Sequence, residues 1–169
     1  IMYGNPDGSE AEMIEAAEIA QANEFIEQKK KKYYSPISQG GANVSGGQKQ
    51  RLSIARAIAK HPEVYIFDDS FSALDYKTDA TLRAALKEKT ADSTVIIVAQ
   101  RISTILHADQ IIVLDEGKMV GIGTHEQLLA ECETYREIAE SQLRESELKG
   151  GRVQGVEQEE HAAMVPAAL

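Results

Sequence analysis

Apolar residues recur along this chain first at helical and then at strand spacing, and the order of the two periods predicts a mixed fold. After the turn-forming run Asn5-Pro6-Asp7-Gly8, Ser9 and Glu12 have the spacing of a capping box. They open a predicted helix running to about Gln28, with Met13, Ala17 and Ala20, joined by Ile14, on one face. Lys29–Lys32 and Tyr33-Tyr34 follow, then a polar, glycine-rich loop from Ser35 to Asn43. Ser45 and Gln48 repeat the box spacing ahead of a second helix, from about Gly46 to Lys60, with Leu52, Ala55 and Ile58 on its apolar face; His61-Pro62 stops it. Val64-Tyr65-Ile66-Phe67 is a continuous apolar run closed by two aspartates, as expected of a strand covered on both faces in a parallel sheet. A helix near Thr78–Lys89 and an apolar strand at Thr94–Ala99 continue the alternation, which defines an α/β architecture. Gln110–Leu114 and Met119–Gly123 read as a hairpin in which the glycine of Asp115-Glu116-Gly117-Lys118 supplies a positive φ. Thr124 and Gln127 form a third box before short helices to about Leu148, and 150–169 reads as a disordered tail.

Composition narrows the class. The chain has 169 residues, 43% hydrophobic and 27% charged, which suits one domain with one core. The longest apolar stretches, such as Val95–Ala99, fall far short of the ~18 residues of a membrane span, and nothing near Ile1 resembles a secretory signal. Eighteen Lys and Arg against 27 Asp and Glu leave a net charge of −9, which argues against binding nucleic acid through its phosphates. The single cysteine, Cys132, excludes an internal disulfide and points to a reducing compartment, as in the cytoplasm.

Two segments carry the chemistry. In Val44-Ser45-Gly46-Gly47-Gln48, a serine at a helix N-cap followed by two glycines exposes backbone N–H groups with no β-carbons in the way, so an anion can approach the positive end of the helix dipole. The alternative is a capped helix with a glycine-rich entry and no ligand. Gly41 and Gly46 have the G-x-x-x-x-G spacing of a phosphate-binding P-loop, but Gly47-Gln48 stand where Lys-Ser or Lys-Thr is required, so these residues form no Walker A motif. The second segment, Val64–Asp69, ends a buried strand on carboxylates, where α/β proteins bind ligands. Asp68 there suits Mg²⁺, directly or through water; alternatively it caps a turn.

With these residues in place, the chain resembles the nucleotide-binding domain of ATP-binding-cassette (ABC) transporters of the exporter type. Val44–Gln48 looks like the signature motif, Val64–Asp68 like Walker B, and Ser72-Ala73-Leu74-Asp75 like the D-loop. Val98–Ile105 resembles the switch segment, and Gly123–Leu129 with Tyr135-Arg136-Glu137-Ile138 is similar to the C-terminal end of exporter cassettes. The likeness covers nearly everything from Ile1 to about Leu148. It implies a P-loop NTPase-type ABC core, partial and lacking the Walker A half. Residues 1–60 would be the helical subdomain with the signature helix, and 61–149 the C-terminal part of the ATPase core. The A-loop, Walker A and Q-loop are then expected upstream, and these 169 residues alone are expected to be inactive.

The resemblance also implies ATP and Mg²⁺ as cofactors, Asp68 as the metal-side carboxylate, and Ser45, Gly46, Gly47 and Gln48 as contacts to ATP held by a second subunit. Ser72, Ala73, Leu74 and Asp75 would lie at the subunit interface. At two catalytic positions the chain departs from the family: Asp69 stands for the usual glutamate and Gln100 for the usual histidine. The shorter side chain withdraws a carboxylate by roughly 1.5 Å, one C–C bond, and a misplacement of ~1 Å can cost on the order of 100-fold in rate. Glutamine can still hydrogen-bond a γ-phosphate but cannot carry an imidazolium charge. Together the two changes imply a degenerate site beside an intact signature, the pattern of heterodimeric bacterial multidrug exporters. The expected partners are a second ABC subunit and the transporter's own transmembrane domain, with no nucleic acid. The expected location is the cytoplasmic face of the plasma (inner) membrane.

Gln39 stands where exporters often carry a glutamate facing the membrane domain. Lys29–Lys32 reads as a solvated loop, the histidines are too dispersed for a metal site, and Cys132 as a packed thiol. The rival readings are a soluble ABC ATPase of the repair or translation type and a non-catalytic regulatory module.

Overall fold

The computed structural model describes residues 1–143; the expected tail at 150–169 and the end of the last helix lie outside the described residues. In place of one core, the chain forms two compact units, 1–100 and from Arg101 onward, each with its own hydrophobic cluster. The second unit closes on itself because its hairpin and the helices after it bury each other's apolar side chains locally.

In the first unit, the single helix expected from Ser9 to Gln28 is two: α1 (Glu10–Ile19) and α2 (Asn23–Glu27). The capping box at Ser9 and Glu12 is formed in full. The break is a Schellman ending with Gln21 in the left-handed conformation, φ 55°. Ala22 N–H donates to Ala17 O at 2.7 Å and Gln21 N–H to Glu18 O at 2.9 Å. Arg51 fixes the kink, donating to Gln21 O at 2.6 Å with its guanidinium 4.8 Å from the Phe25 ring centre. Tyr33 donates to Asn23 Oδ1 and Lys32 pairs with Glu27, so the basic run is tied to α2.

The helix α3 (Gly46–Ala59) ends as expected at His61, whose φ of 48° and following proline stop it. Strand β1 (Val64–Asp68) runs parallel to β2 (Thr94–Val98), joined through α4 (Tyr76–Lys89), which starts two residues before the expected Thr78 because Asp75 caps it. Ala16, Ala17, Ile54, Ile58, Tyr65, Phe67, Leu82 and Leu86 share the core. The expectation that β1 is covered on both faces is not met. Tyr65 and Phe67 are buried, but Val64 and Ile66 are 50% and 68% exposed, as are Ile96 and Val98 at 47% and 54%. In a parallel pair these four share one face with Asp68, and no described element covers it.

In the second unit, a short helix not read from the sequence, α5 (Ile102–Ile105), begins where Gln142 Oε1 accepts from Ile102 N–H at 2.9 Å. The hairpin is β3 (Ile111–Asp115) and β4 (Lys118–Gly123), antiparallel, with a bulge at Val113/Leu114. Its loop residues Glu116 and Gly117 both have positive φ, as a two-residue hairpin loop of this twist demands. Helices α6 (His125–Glu131) and α7 (Glu133–Gln142) follow, α6 opened by the Thr124–Gln127 box. Arg136 donates to Leu129 O and Ala130 O, satisfying the last carbonyls of α6. Cys132 is buried against Gly121, where an added β-carbon would stand 2.8 Å from its sulfur.

Candidate functional site

The site is built on the start of α3 and the turn after β1. Ser45 takes an extended conformation, its Oγ accepts from Gln48 N–H at 3.2 Å, and Gln48 Oε1 accepts from Ser45 N–H at 3.1 Å. This box occupies the third N–H of the helix and leaves those of Gly46 and Gly47 without an intrahelical acceptor. Ser45 uses its oxygen as an acceptor, so its O–H hydrogen is still available to a ligand. The donor set of two N–H groups, a hydroxyl and a helix dipole suits a phosphate.

The turn Asp69–Ala73 packs against this helix start. Phe71 anchors it from below, buried with its ring 5.4 Å from Phe67 and the Arg83 guanidinium 4.2 Å above it. Ala73 meets the two glycines: a β-carbon on Gly47 would stand 2.9 Å from Ala73 O, whereas one on Gly46 would find only Ala73 Cβ at 3.8 Å. Gly47 is therefore required by close approach, and Gly46 is not.

Asp69 has a φ of 47°, and its N–H donates to Val98 O at 3.1 Å, which fixes it beside the end of β2. Gln100, exposed, stands two residues beyond that carbonyl. Asp68 is exposed on the open face of β1. Hard carboxylate oxygen at a strand end suits Mg²⁺, which takes one or two protein carboxylates and completes its shell with water and phosphate oxygens. Among the described residues no three acidic, histidine or cysteine side chains gather as a complete metal cage. Asp75 has a further role: its carboxylate accepts from Thr78 N–H at 3.0 Å and from Thr78 Oγ1–H at 2.7 Å, capping α4. The Thr78 backbone bond, then its hydroxyl, lowers the Asp75 pKa.

The structure thus brings Gly46 and Gly47, with the Ser45–Gln48 box beside them, against Ala73 and Leu74, and Asp68 and Asp69 open the same turn. Sequence reasoning missed Gln50. Its side chain reaches from α3 to Asp69 O, Ser72 Oγ and the Ala73 N–H, and only its place one turn past the glycines marks it in the sequence.

Residues 5–72 match the ABC transporter family. An ABC transporter ATP-binding protein of Mycobacterium tuberculosis is 52% identical over 141 residues, 82% of this chain and 24% of that protein. A Staphylococcus aureus protein, provisionally named a multidrug export ATP-binding/permease protein, is 41% identical over 138 residues, again 82% of this chain and 24% of that protein. The solved structure of a bacterial Atm1-family ABC exporter with ATP bound superposes with a TM-score of 0.80 at 35% identity, over 85% of this chain and 25% of that one. The chain belongs to the ABC transporter family and has part of the ABC ATPase fold. It spans about a quarter of the length of these relatives. Among the described residues no helix is long and apolar enough to cross a membrane.

Proposed function

We propose that these residues are the C-terminal part of the nucleotide-binding domain of an ABC exporter subunit, which couples Mg-ATP binding and hydrolysis to substrate export at the cytoplasmic face of the plasma membrane. Residues 1–60 form the helical subdomain and 61–149 part of the ATPase core. The observation that carries the reading is the seating of Gly47 on Ala73 O, which joins a phosphate-ready helix start to the Asp68–Asp75 turn. The exporter names of the relatives support the transport role.

Hydrolysis by in-line water attack needs phosphate oxygens held and the water aligned. Asp68 holds the metal side of the nucleotide, and bound Mg²⁺ supplies neutralisation of phosphate charge. Asp69 orients water weakly because its carboxylate is one methylene short, and Gln100 senses the γ-phosphate by an uncharged amide. Ser45, Gly46, Gly47 and Gln48 face ATP held by a different subunit, in a heterodimer, and Ser72–Asp75 line the contact between the two. The transmembrane domain of the same transporter receives the motion. A non-catalytic regulatory role is the second reading, favoured by Asp69 and Gln100 together.

Steady-state ATP hydrolysis by the full-length subunit, alone and co-purified with its genomic neighbour, tests this. Negligible turnover alone with clear turnover in the pair is expected. Robust turnover by the subunit alone would overturn the heterodimeric reading, and silence in both preparations would favour the regulatory one.

A further inference from the structure

Gln50 follows the signature by two residues, on the fifth position of α3, partly buried. Its amide is engaged at both ends. Nε2 donates to Asp69 O at 3.1 Å and to Ser72 Oγ at 3.0 Å, and Oε1 accepts from Ala73 N–H at 2.9 Å. The Ala73 amide can only donate, so the amide orientation is fixed by its partners. Ser72 Oγ–H in turn donates to Asp69 O at 3.1 Å. The Asp69 peptide is therefore gripped on both sides: its N–H by Val98 O, its carbonyl by Gln50 and Ser72. Asp69 sits at φ 47°, a conformation that costs a non-glycine residue energy and persists where its surroundings fix it. Ala73, the third anchor of Gln50, is also the residue on which Gly47 closes.

We propose that Gln50 is a positioning residue that locks the signature helix to the Asp69–Ala73 turn. A ligand engaged at Ser45–Gln48 is then felt at Asp69, and movement of the turn repositions the signature. Gln50 itself touches neither phosphate nor water in this scheme; it acts through Asp69, Ser72 and Ala73. The inference rests on the ATPase reading above for its functional half and on the hydrogen bonds alone for its structural half.

The test uses the full-length subunit co-purified with its partner, in wild-type form and as Q50A and Q50E, read by kcat and KM for ATP and by amide hydrogen exchange at Ala73. Glutamate retains an acceptor for Ala73 N–H but offers no donor to Asp69 O or Ser72 Oγ. Q50A is expected to speed Ala73 exchange at least about fivefold, the loss of one hydrogen bond. It should also lower kcat at least about tenfold, with KM within about twofold, as loss of alignment predicts. Q50E is expected to keep Ala73 protected and still lose kcat. A role confined to folding would lower active fraction and melting temperature in both variants without this split. Unchanged Ala73 exchange in Q50A overturns the lock, and full kcat in Q50E or Q50A overturns its functional half. If the wild-type pair itself does not hydrolyse ATP, the ATPase reading fails and the functional half with it, while the exchange result still decides the lock.

Discussion

Ser45, Gly46 and Gly47 occupy consecutive positions yet answer to different constraints. Ser45 caps α3 and faces the proposed ligand, so S45A is expected to cost about 1 kcal/mol of stability and to reduce ATP hydrolysis of the partnered enzyme by more than that loss explains; chemical denaturation and turnover measured on the same preparation separate the two. For the glycines, steric room decides. G46A meets only ordinary contact and gains helix propensity of up to ~1 kcal/mol, so its melting temperature should not fall. G47A drives a β-carbon to 2.9 Å from Ala73 O, a backbone atom that cannot swing aside. Overpacking of this kind costs about 1–3 kcal/mol, so G47A should melt lower than G46A. Asp75 adds a pH signature. Its folded pKa is depressed by Thr78, so the carboxylate stabilises the fold above the ordinary carboxylate pKa of about 4, and that stabilisation is lost as pH falls through the lowered folded value. Comparing melting of wild type with D75N, which keeps a capping acceptor without a charge, the wild-type advantage should shrink on acidification; an advantage constant from neutral to acid pH would exclude this role.

Among the elements, capping boxes and the hairpin were legible because each is written in adjacent residues: Ser9 with Glu12, Ser45 with Gln48, Thr124 with Gln127, and Glu116-Gly117 between two apolar runs. The end of α1 was not. Its left-handed residue is Gln21 where glycine is the usual marker, and the partner that holds it, Arg51, lies thirty residues on. Gln50 was hidden for the same reason: its meaning is three contacts with a turn twenty residues away. Strand β1 failed in the other direction. Its unbroken apolar run indicates cover on both faces, yet Val64, Ile66, Ile96 and Val98 stand open among the described residues. An apolar sheet face of that kind, left open by the described residues, is expected to make the 169 residues expressed alone prone to association and marginal in stability. Broad thermal unfolding with strong binding of a hydrophobic dye is expected, and a sharp cooperative transition without dye binding would contradict it.

At the level of the whole molecule, the proposed reading has Asp69 and Gln100 disable a nucleotide site built on this chain, and the backbone makes that testable. The Asp69 peptide is fixed by Val98, Gln50 and Ser72, so replacing the side chain leaves the direction of Cβ unchanged and alters only reach. D69E adds back roughly 1.5 Å, one C–C bond, at a left-handed position where aspartate is the easier residue. Q100H supplies an imidazole that titrates near neutrality and can donate to a phosphate oxygen, which an uncharged amide does without gaining charge. On the proposed reading each change restores one half of the machinery, and groups that act as a unit are not additive. The single variants of the full-length subunit, purified without its partner, should therefore stay near the wild-type background, and D69E/Q100H should exceed it at least tenfold, with an activity that falls as pH rises through the imidazole range, a dependence the wild type lacks. Catalysis by either single variant equal to the double would mean that one position alone holds the site back. A silent double variant that still binds Mg-ATP would place the deficit elsewhere in the subunit and leave Asp69 and Gln100 as bystanders.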